Sequence, residues 1–304
     1  MDASSIELRH LRHFLALAES LHFGRAAAAV GIAQPPFSQS IARLEKLVGH
    51  PLFERRRSGV ERVTLTDAGA ALLGPARQVV AQAAQAIETA RAAGQGELGT
   101  LRLGFVASLA AGKLPALLAR FRLARPGVTL TISEMTTDPM LAALHRHEID
   151  LGLGREVAAQ GSVQTRLLFR EWLRVVAAGG HPLAGRVAGV ADLAGQPFVL
   201  PPVSAGGSFR QHLSELCAAS GFIPQVVQEA TEWSTVLAFV GAGFGLSIVP
   251  QSALSGSRAE CTVLDIPGLE WWTSVFACWR ADHDSAVRDA LLETLGELGR
   301  DDFS

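Results

Sequence analysis

Cysteine is scarce in this chain. Cys217, Cys261 and Cys278 are the only three among 304 residues, and no CxxC pair occurs. That excludes a disulfide framework and a zinc ribbon, and leaves three reduced thiols as the expected state. A redox pair is the sharper alternative, although Cys217 and Cys261 are 44 positions apart. Long apolar runs are also missing: none approaches the ~20 residues that span a bilayer. The first residues, "MDASSIELRHL", carry neither the basic nor the apolar stretch of a secretory leader. A soluble, cytoplasmic protein with no membrane partner is expected. Charge is sparse too, at 18% of residues and a net of −2, which by itself points to no polyanion. Finally, there is no GxSxG elbow and no phosphate-binding loop. The acids Glu134 and Asp138 have no His or Lys beside them by spacing. An enzyme would need such a constellation, so no catalytic residue, metal or cofactor is expected.

What is present is a large apolar fraction, 48%, enough to core two or three domains. The charge is unevenly spread. Residues 1–66 hold nine Lys/Arg against six Asp/Glu, while the remainder holds 18 against 23. A net of +3 followed by a net of −5 permits a nucleic-acid-binding head on an acidic body.

The head has a legible pattern. Leu8, Leu11, Phe14, Leu15 and Ala18 recur at helical spacing. "GRAAAAVG" then reads as a short helix opened by Gly24 and ended by Gly31 in a left-handed turn. The next helix begins at "QPPFSQSIARLEKLV". Proline loses nothing in a first helical turn, because the N–H groups there have no intrahelical partner. Pro36 is placed inside that turn, with Pro35 holding Gln34 extended before it. Phe37, Ile41, Leu44 and Val48 form an apolar stripe; Ser38, Gln39, Ala42, Arg43 and Lys46 lie opposite. An ordinary solvated face would look similar. Two helices joined by a tight glycine turn nevertheless make a helix-turn-helix, whose second helix enters a DNA major groove. There Gln pairs with adenine and Arg with guanine. Arg55, Arg56 and Arg57 precede a Ser-Gly turn and the alternating Val63 and Leu65, as in a hairpin wing that contacts phosphate.

Thr66 is the expected cap of a long helix reaching about Ala93. Its seam is Leu72, Leu73, Ala76, Val79, Val80, Ala83, Ile87 and Ala90, suited to pairing with a second subunit. "GQGELG", Gly94 to Gly99, matches GxGxxG, but it follows a helix and opens a strand. The dinucleotide motif requires the reverse; a flexible linker is expected instead. From Leu101 strands and helices alternate: "LRLGFV", a helix near 109–124, "VTLTISEM", a helix near 139–147 and "DLGLG". Then come "LRVVAA", "PFVLP", a helix from Phe209, "QVVQEA", a helix near 234–241, "LSIVP", "CTVLDI", "TSVFACW" and a helix over 284–299. That is an α/β body, in two lobes that would hold a small molecule between them. Ser108 and Thr137 each precede an expected helix, so their hydroxyls and free N–H groups could hold a carboxylate without a buried arginine. Both could equally be plain helix caps.

Taken together, these stretches resemble the LysR-type transcriptional regulators. The match is "LRHFLALAES" followed by "HFGRAAAAVGIAQPPFSQSIARLEKLVGHPLFERRRSGVERVTLTDAG". "LHFGRAA", "AQPP", "LGFVAS", "EMTT", "IDLGLGR", "HPL" and "VGAGFGLSIVP" look most like the benzoate- and muconate-responsive aromatic-catabolism subgroup, and carry the resemblance along nearly the whole chain. The resemblance implies an N-terminal winged helix-turn-helix over 1–66, a linker and dimerisation helix over 67–96, and a two-lobed, periplasmic-binding-protein-like α/β effector domain over 97–304. Lobe I would hold 97–168 and 270–304, and lobe II 169–269. It also implies binding of double-stranded DNA at an interrupted inverted repeat, a tetramer built as a dimer of dimers, and RNA polymerase as a further partner. Base-reading positions fall on Gln34, Pro35, Pro36, Ser38, Gln39 and Arg43, with Arg55 and Arg56 in the wing. Gln39 stands where many relatives have Arg, which moves the expected preference toward adenine. The effector, an aromatic or dicarboxylic acid, would meet Ser108, Leu109, Thr137, Pro202, Phe209 and Trp272. Trp272 and Gly206-Gly207 depart from the aliphatic and proline residues common in the subgroup.

Overall fold

The computed structural model describes residues 6–58, 60–159, 161–203, 207–255 and 260–298. The chain divides into two compact units, Met1–Arg91 and Ala92–Ser304. The first contains helices α1 (Leu8–Ser20), α2 (Phe23–Ala29) and α3 (Gln34–Val48), then the antiparallel hairpin β1 (Phe53–Ser58) and β2 (Val60–Leu65). A long helix, α4 (Asp67–Gly94), follows. Leu11, Phe14 and Leu17 of α1 meet Phe37, Ile41 and Leu44 of α3 in one core. Helix α2 contributes only the small Ala26 and Ala27, and the turn after it holds Gly31 at φ +73.

The start of α3 corrects one expectation. Ala33, not Gln34, is the extended residue (φ −68, ψ 150), and the helix begins at Gln34 with both prolines inside its first turn. The first amide to bond back along the helix is that of Phe37, which donates to the Ala33 carbonyl at 3.3 Å. The two prolines thus occupy positions whose N–H groups would have had no partner in any case.

Backbone polar groups at the hairpin base are tied to the helices on both sides. Glu45 Oε1 accepts from the amides of Leu52 (2.8 Å) and Phe53 (3.2 Å). Thr66 Oγ1 donates to the Pro51 carbonyl at 2.7 Å and accepts from the Gly69 amide at 3.0 Å, capping α4. Gly69 packs so closely that a Cβ there would stand 2.2 Å from the Leu52 carbonyl oxygen. Neither backbone can yield without losing that cap. Gly69→Ala is therefore expected to destabilise the Met1–Arg91 unit by about 1–3 kcal/mol. Urea unfolding followed by helical circular dichroism measures this, and a midpoint equal to wild type would refute it.

Helix α4 is 28 residues long, about 42 Å at 1.5 Å per residue. Its seam divides in two. Leu72, Leu73, Ala76 and Val80 pack into the helical core. Val79 and Ile87 stay 45% and 55% exposed. The Gly94–Gly99 stretch is not the flexible linker expected. Helix α4 runs into it and strand β3 (Leu98–Phe105) starts within it. The buried Gly96 between them (φ +70) lies where a Cβ would come 2.5 Å from the Ala286 carbonyl. It is a packed turn.

The Ala92–Ser304 unit is built on a seven-stranded sheet in the order β10-β6-β11-β5-β3-β4, with β9 also on β6. The strands are β3, β4 (Gly127–Glu134), β5 (Leu151–Arg155), β6 (Val163–Ala178), β9 (Ser247–Pro250), β10 (Cys261–Val263) and β11 (Trp272–Arg280). A separate parallel pair joins β7 (Pro197–Leu200) to β8 (Gln225–Glu229). Five helices cover these strands: α5 (Leu114–Ala124), α6 (Thr137–His145), α7 (Gly207–Ala219), α8 (Trp233–Gly241) and α9 (Ala286–Leu295). Strand β6 is 16 residues long, far beyond the "LRVVAA" read from sequence. It serves two cores: Leu168 belongs to one with α5 and α9, and Leu173 and Val175 to another with β7 and α7. The helix expected over 109–124 is instead a single 3-10 turn at Ala107–Leu109 followed by α5. The last helix is shorter than expected, and residues beyond 298 lie outside the described ones. Among the described residues, no helix is long and apolar enough to cross a membrane.

Candidate functional site

The outer face of α3 is polar and open. Gln34, Pro35, Pro36, Gln39, Ala42, Arg43 and Lys46 are exposed and Ser38 is half-buried. Gln39, Arg43 and Lys46 recur at i, i+4 and i+7 and so share one side of the helix. The acid nearest this side, Glu45, is turned to the hairpin amides, which leaves the face rich in donors. Behind it, the His13 ring lies 5.3 Å from Phe37, and its Nδ1 shares a 2.7 Å hydrogen bond with Ser40 Oγ. Burial first, then the charges of His10 and Arg9, push the His13 pKa below its ordinary value. The imidazole is a neutral support for α3. The backbones of Arg55 and Arg56 run in β1, paired with Val63 and Arg62; their side chains lie outside the described part of the structure.

The second candidate site is in the Ala92–Ser304 unit. All five residues of β5 are buried, and the last is Arg155. Its side chain is 3% exposed. Nε and Nη2 donate to Ser108 Oγ at 3.1 and 2.9 Å. Nη2 also pairs with Glu171 Oε1 and reaches Ser252 Oγ at 3.4 Å. Glu171 in turn accepts from the Ser252 amide at 2.8 Å and its hydroxyl at 3.1 Å. Thr137 Oγ1 lies 3.3 Å from both the amide and the carbonyl of Arg155. Arg155 Nη1 is buried with no partner among the described residues. The network links Ser108 in the 3-10 turn before α5, Thr137 at the start of α6 and Arg155 at the end of β5 to Ser252 in the turn after β9.

The two hydroxyls expected to act without a buried arginine thus stand beside one. Neither hydroxyl is a helix cap: the cap position of α6 is Thr136, which makes no side-chain cap bond, and Ser108 Oγ is committed to Arg155. Ser108, Thr137 and Arg155 line a cavity of about 140 Å³ together with Phe209 and Trp233. The guanidinium carbon lies 6.0 Å from the Phe209 ring centre. Of the remaining expected residues, Leu109 and Trp272 line a neighbouring cavity of about 510 Å³, which also reaches Ser108. Trp272 stacks there on Trp172, with ring centres 3.3 Å apart. Pro202 is half-buried and follows Pro201, which lines the smaller cavity. Gly206 lies outside the described residues, and Gly207 opens α7. Arg155 was missed although it ends the quoted "IDLGLGR"; the signal was a cation closing a fully apolar strand.

The thiols show no sign of activation. Burial raises all three, Cys217 to about 11 and Cys278 to about 12, and Cys261 Sγ donates to the Leu237 carbonyl at 3.1 Å. A raised thiol stays protonated at neutral pH and reacts slowly. Ellman's reagent at pH 8 is expected to leave Cys217 and Cys278 unmodified until the protein unfolds. Rapid labelling of either in the folded state would contradict this.

A family model for the LysR substrate binding domain matches residues 94–300, and one for the bacterial regulatory helix-turn-helix of the lysR family matches residues 8–70. The uncharacterized HTH-type transcriptional regulator YnfL of Escherichia coli is 34% identical over 97% of this chain and 99% of its own. The regulator ShiR of Corynebacterium glutamicum is 38% identical over 95% and 97%. Full-length CbnR, solved with its target DNA, superposes with a TM-score of 0.75 at 25% identity, covering 96% of this chain and 99% of that one. A donor-rich helix-turn-helix face and a polar cavity in an α/β body thus occur along one chain with the matching family models: the protein belongs to the LysR family of DNA-binding transcriptional regulators and carries that family's effector-binding domain.

Proposed function

We propose that the protein controls transcription in response to a small organic acid bound between lobe I (97–168 and 270–304) and lobe II (169–269). The acid's carboxylate meets Ser108, Thr137 and Arg155, and an aromatic body lies against Phe209 and Trp233. The observation that carries this reading is Arg155, buried at the cavity floor with Nη1 unpartnered. A buried guanidinium donor with no acceptor is costly, and an arriving anion relieves that cost. The resemblance to the aromatic-catabolism subgroup supports the aromatic body. The linked partners Glu171 and Ser252 supply the switch: a ligand that competes for Arg155 favours one arrangement of the lobes over the other.

In this reading Gln34, Pro35, Pro36, Ser38, Gln39 and Arg43 meet base edges and backbone in the major groove. Arg55 and Arg56 meet phosphate. The exposed Val79 and Ile87 of α4 pair with a second copy, and dimers join as tetramers on an interrupted inverted repeat in the cytoplasm, where RNA polymerase is met. Thermal denaturation of the full chain against a panel of small organic acids, amino acids included, tests the cleft. A ligand at a hundred times its Kd stabilises by about 2.7 kcal/mol. Ser108→Ala is expected to remove that stabilisation. No response from wild type across the panel, or an undiminished response in Ser108→Ala, would sink the reading.

A further inference from the structure

We infer that the ligand of the interlobe cleft is a zwitterion, a small amino acid with an apolar body, and not a simple acid or a diacid. The inference rests on the interlobe reading above and concerns the charge of the ligand's second group. Arg155 already has a carboxylate partner in Glu171, so the floor of the cavity is close to neutral. One guanidinium nitrogen, Nη1, still has no partner among the described residues. That leaves room for one carboxylate.

The lining also carries the other sign. Glu134, at the end of β4, and Glu232, just before α8, line the same cavity. Neither side chain makes a hydrogen bond or ion pair among the described residues. Both also line the adjoining cavity of about 860 Å³, where Glu260 adds a third carboxylate and no described Lys, Arg or His contributes. Trp233 lines both cavities and meets Phe209 edge-on, with ring centres 5.7 Å apart at 88°. Carboxylates beside an indole are a recognition surface for an ammonium, through charge and through the negative ring face. A diacid would set its second carboxylate against Glu134 and Glu232. A plain monoacid would leave them without a counter-charge. An amino acid satisfies both sets of residues: its carboxylate reaches Ser108, Thr137 and Arg155, and its ammonium meets Glu134, Glu232 and Trp233.

Calorimetric titration of the full chain decides between these ligands. The probes are L-phenylalanine and L-leucine, their amine-free counterparts 3-phenylpropanoate and 4-methylpentanoate, and their carboxylate-free counterparts 2-phenylethylamine and 3-methylbutylamine. At least one amino acid is expected to bind about tenfold or more tighter than both of its truncated counterparts. Glu134→Gln with Glu232→Gln, two surface changes compatible with folding, should erase that preference and leave affinity for the amine-free acid unchanged. Amine-free acids binding as well as the amino acids, and losing affinity on Ser108→Ala, would overturn the zwitterion while the carboxylate cleft stands. No binding by either amino acid would overturn the zwitterion too, and the organic-acid panel then judges the cleft separately.

Discussion

Arg155→Met lowers the stability of the Ala92–Ser304 unit by about 3–5 kcal/mol, the usual cost of breaking a buried ion pair from one side. The change leaves Glu171, whose side chain is 10% exposed, without its guanidinium, and strips Ser108 Oγ of two donors. Paired replacement behaves differently. Arg155→Met with Glu171→Leu removes both charges, and buried pairs exchanged for apolar side chains of similar volume are often neutral. The double variant is therefore expected to recover most of the lost stability while remaining blind to effector. All five tryptophans, Trp172, Trp233, Trp271, Trp272 and Trp279, lie in this unit, so tryptophan fluorescence during urea unfolding reports on it alone. A single variant within about 1 kcal/mol of wild type, or a double variant no more stable than the single, would show that the pair does not hold this site together.

The same residues show where sequence reading stops. Helix α3 was legible because its determinants are local: Gly31, the proline pair and the Phe37–Ile41–Leu44 stripe lie within fourteen consecutive positions. Only its first residue was misplaced, since extended backbone before proline is a preference that the free first-turn positions override. The Arg155 network is the opposite case. Its partners Ser108, Glu171 and Ser252 stand 47, 16 and 97 residues away, and no periodicity joins them. Strand β6 was read short because its first half, Val163–Arg170, sets Gln, Thr and two arginines around a Leu-Leu-Phe run with no period of two, whereas the second half, serving the other core, ends in the apolar run Val175–Ala178. The α4 seam had the correct period, but period alone does not separate Leu72 and Val80, which find their core within the chain, from Ile87, which does not.

On DNA, Gln39→Ala should remove one base-reading side chain per recognition helix. A good bidentate pair is worth about 1–3 kcal/mol of discrimination. A two-fold dimer repeats it at both half-sites, so the complex on its preferred operator loses about 2–6 kcal/mol, while affinity for unrelated duplex is unchanged. Arg55→Ala is expected to act on every sequence alike, if the wing arginines meet phosphate as proposed. Each lost phosphate contact lowers the salt slope by about one, so its effect is large at low salt and shrinks as salt rises. The exposed side of α3 explains why the two effects separate. Gln39, Arg43 and Lys46 share a face from which Glu45 has been drawn away, so hydrogen-bonding capacity there is free to discriminate bases. Gln39→Arg sharpens the test: guanine offers arginine two acceptors, O6 and N7, whereas adenine offers only N7 beside the N6 donor, so the preferred base pair at that position should change while overall affinity is kept. Fluorescence anisotropy with an operator library at two salt concentrations separates the outcomes. Uniform loss for Gln39→Ala, or an unchanged base preference for Gln39→Arg, would remove Gln39 from the reading face.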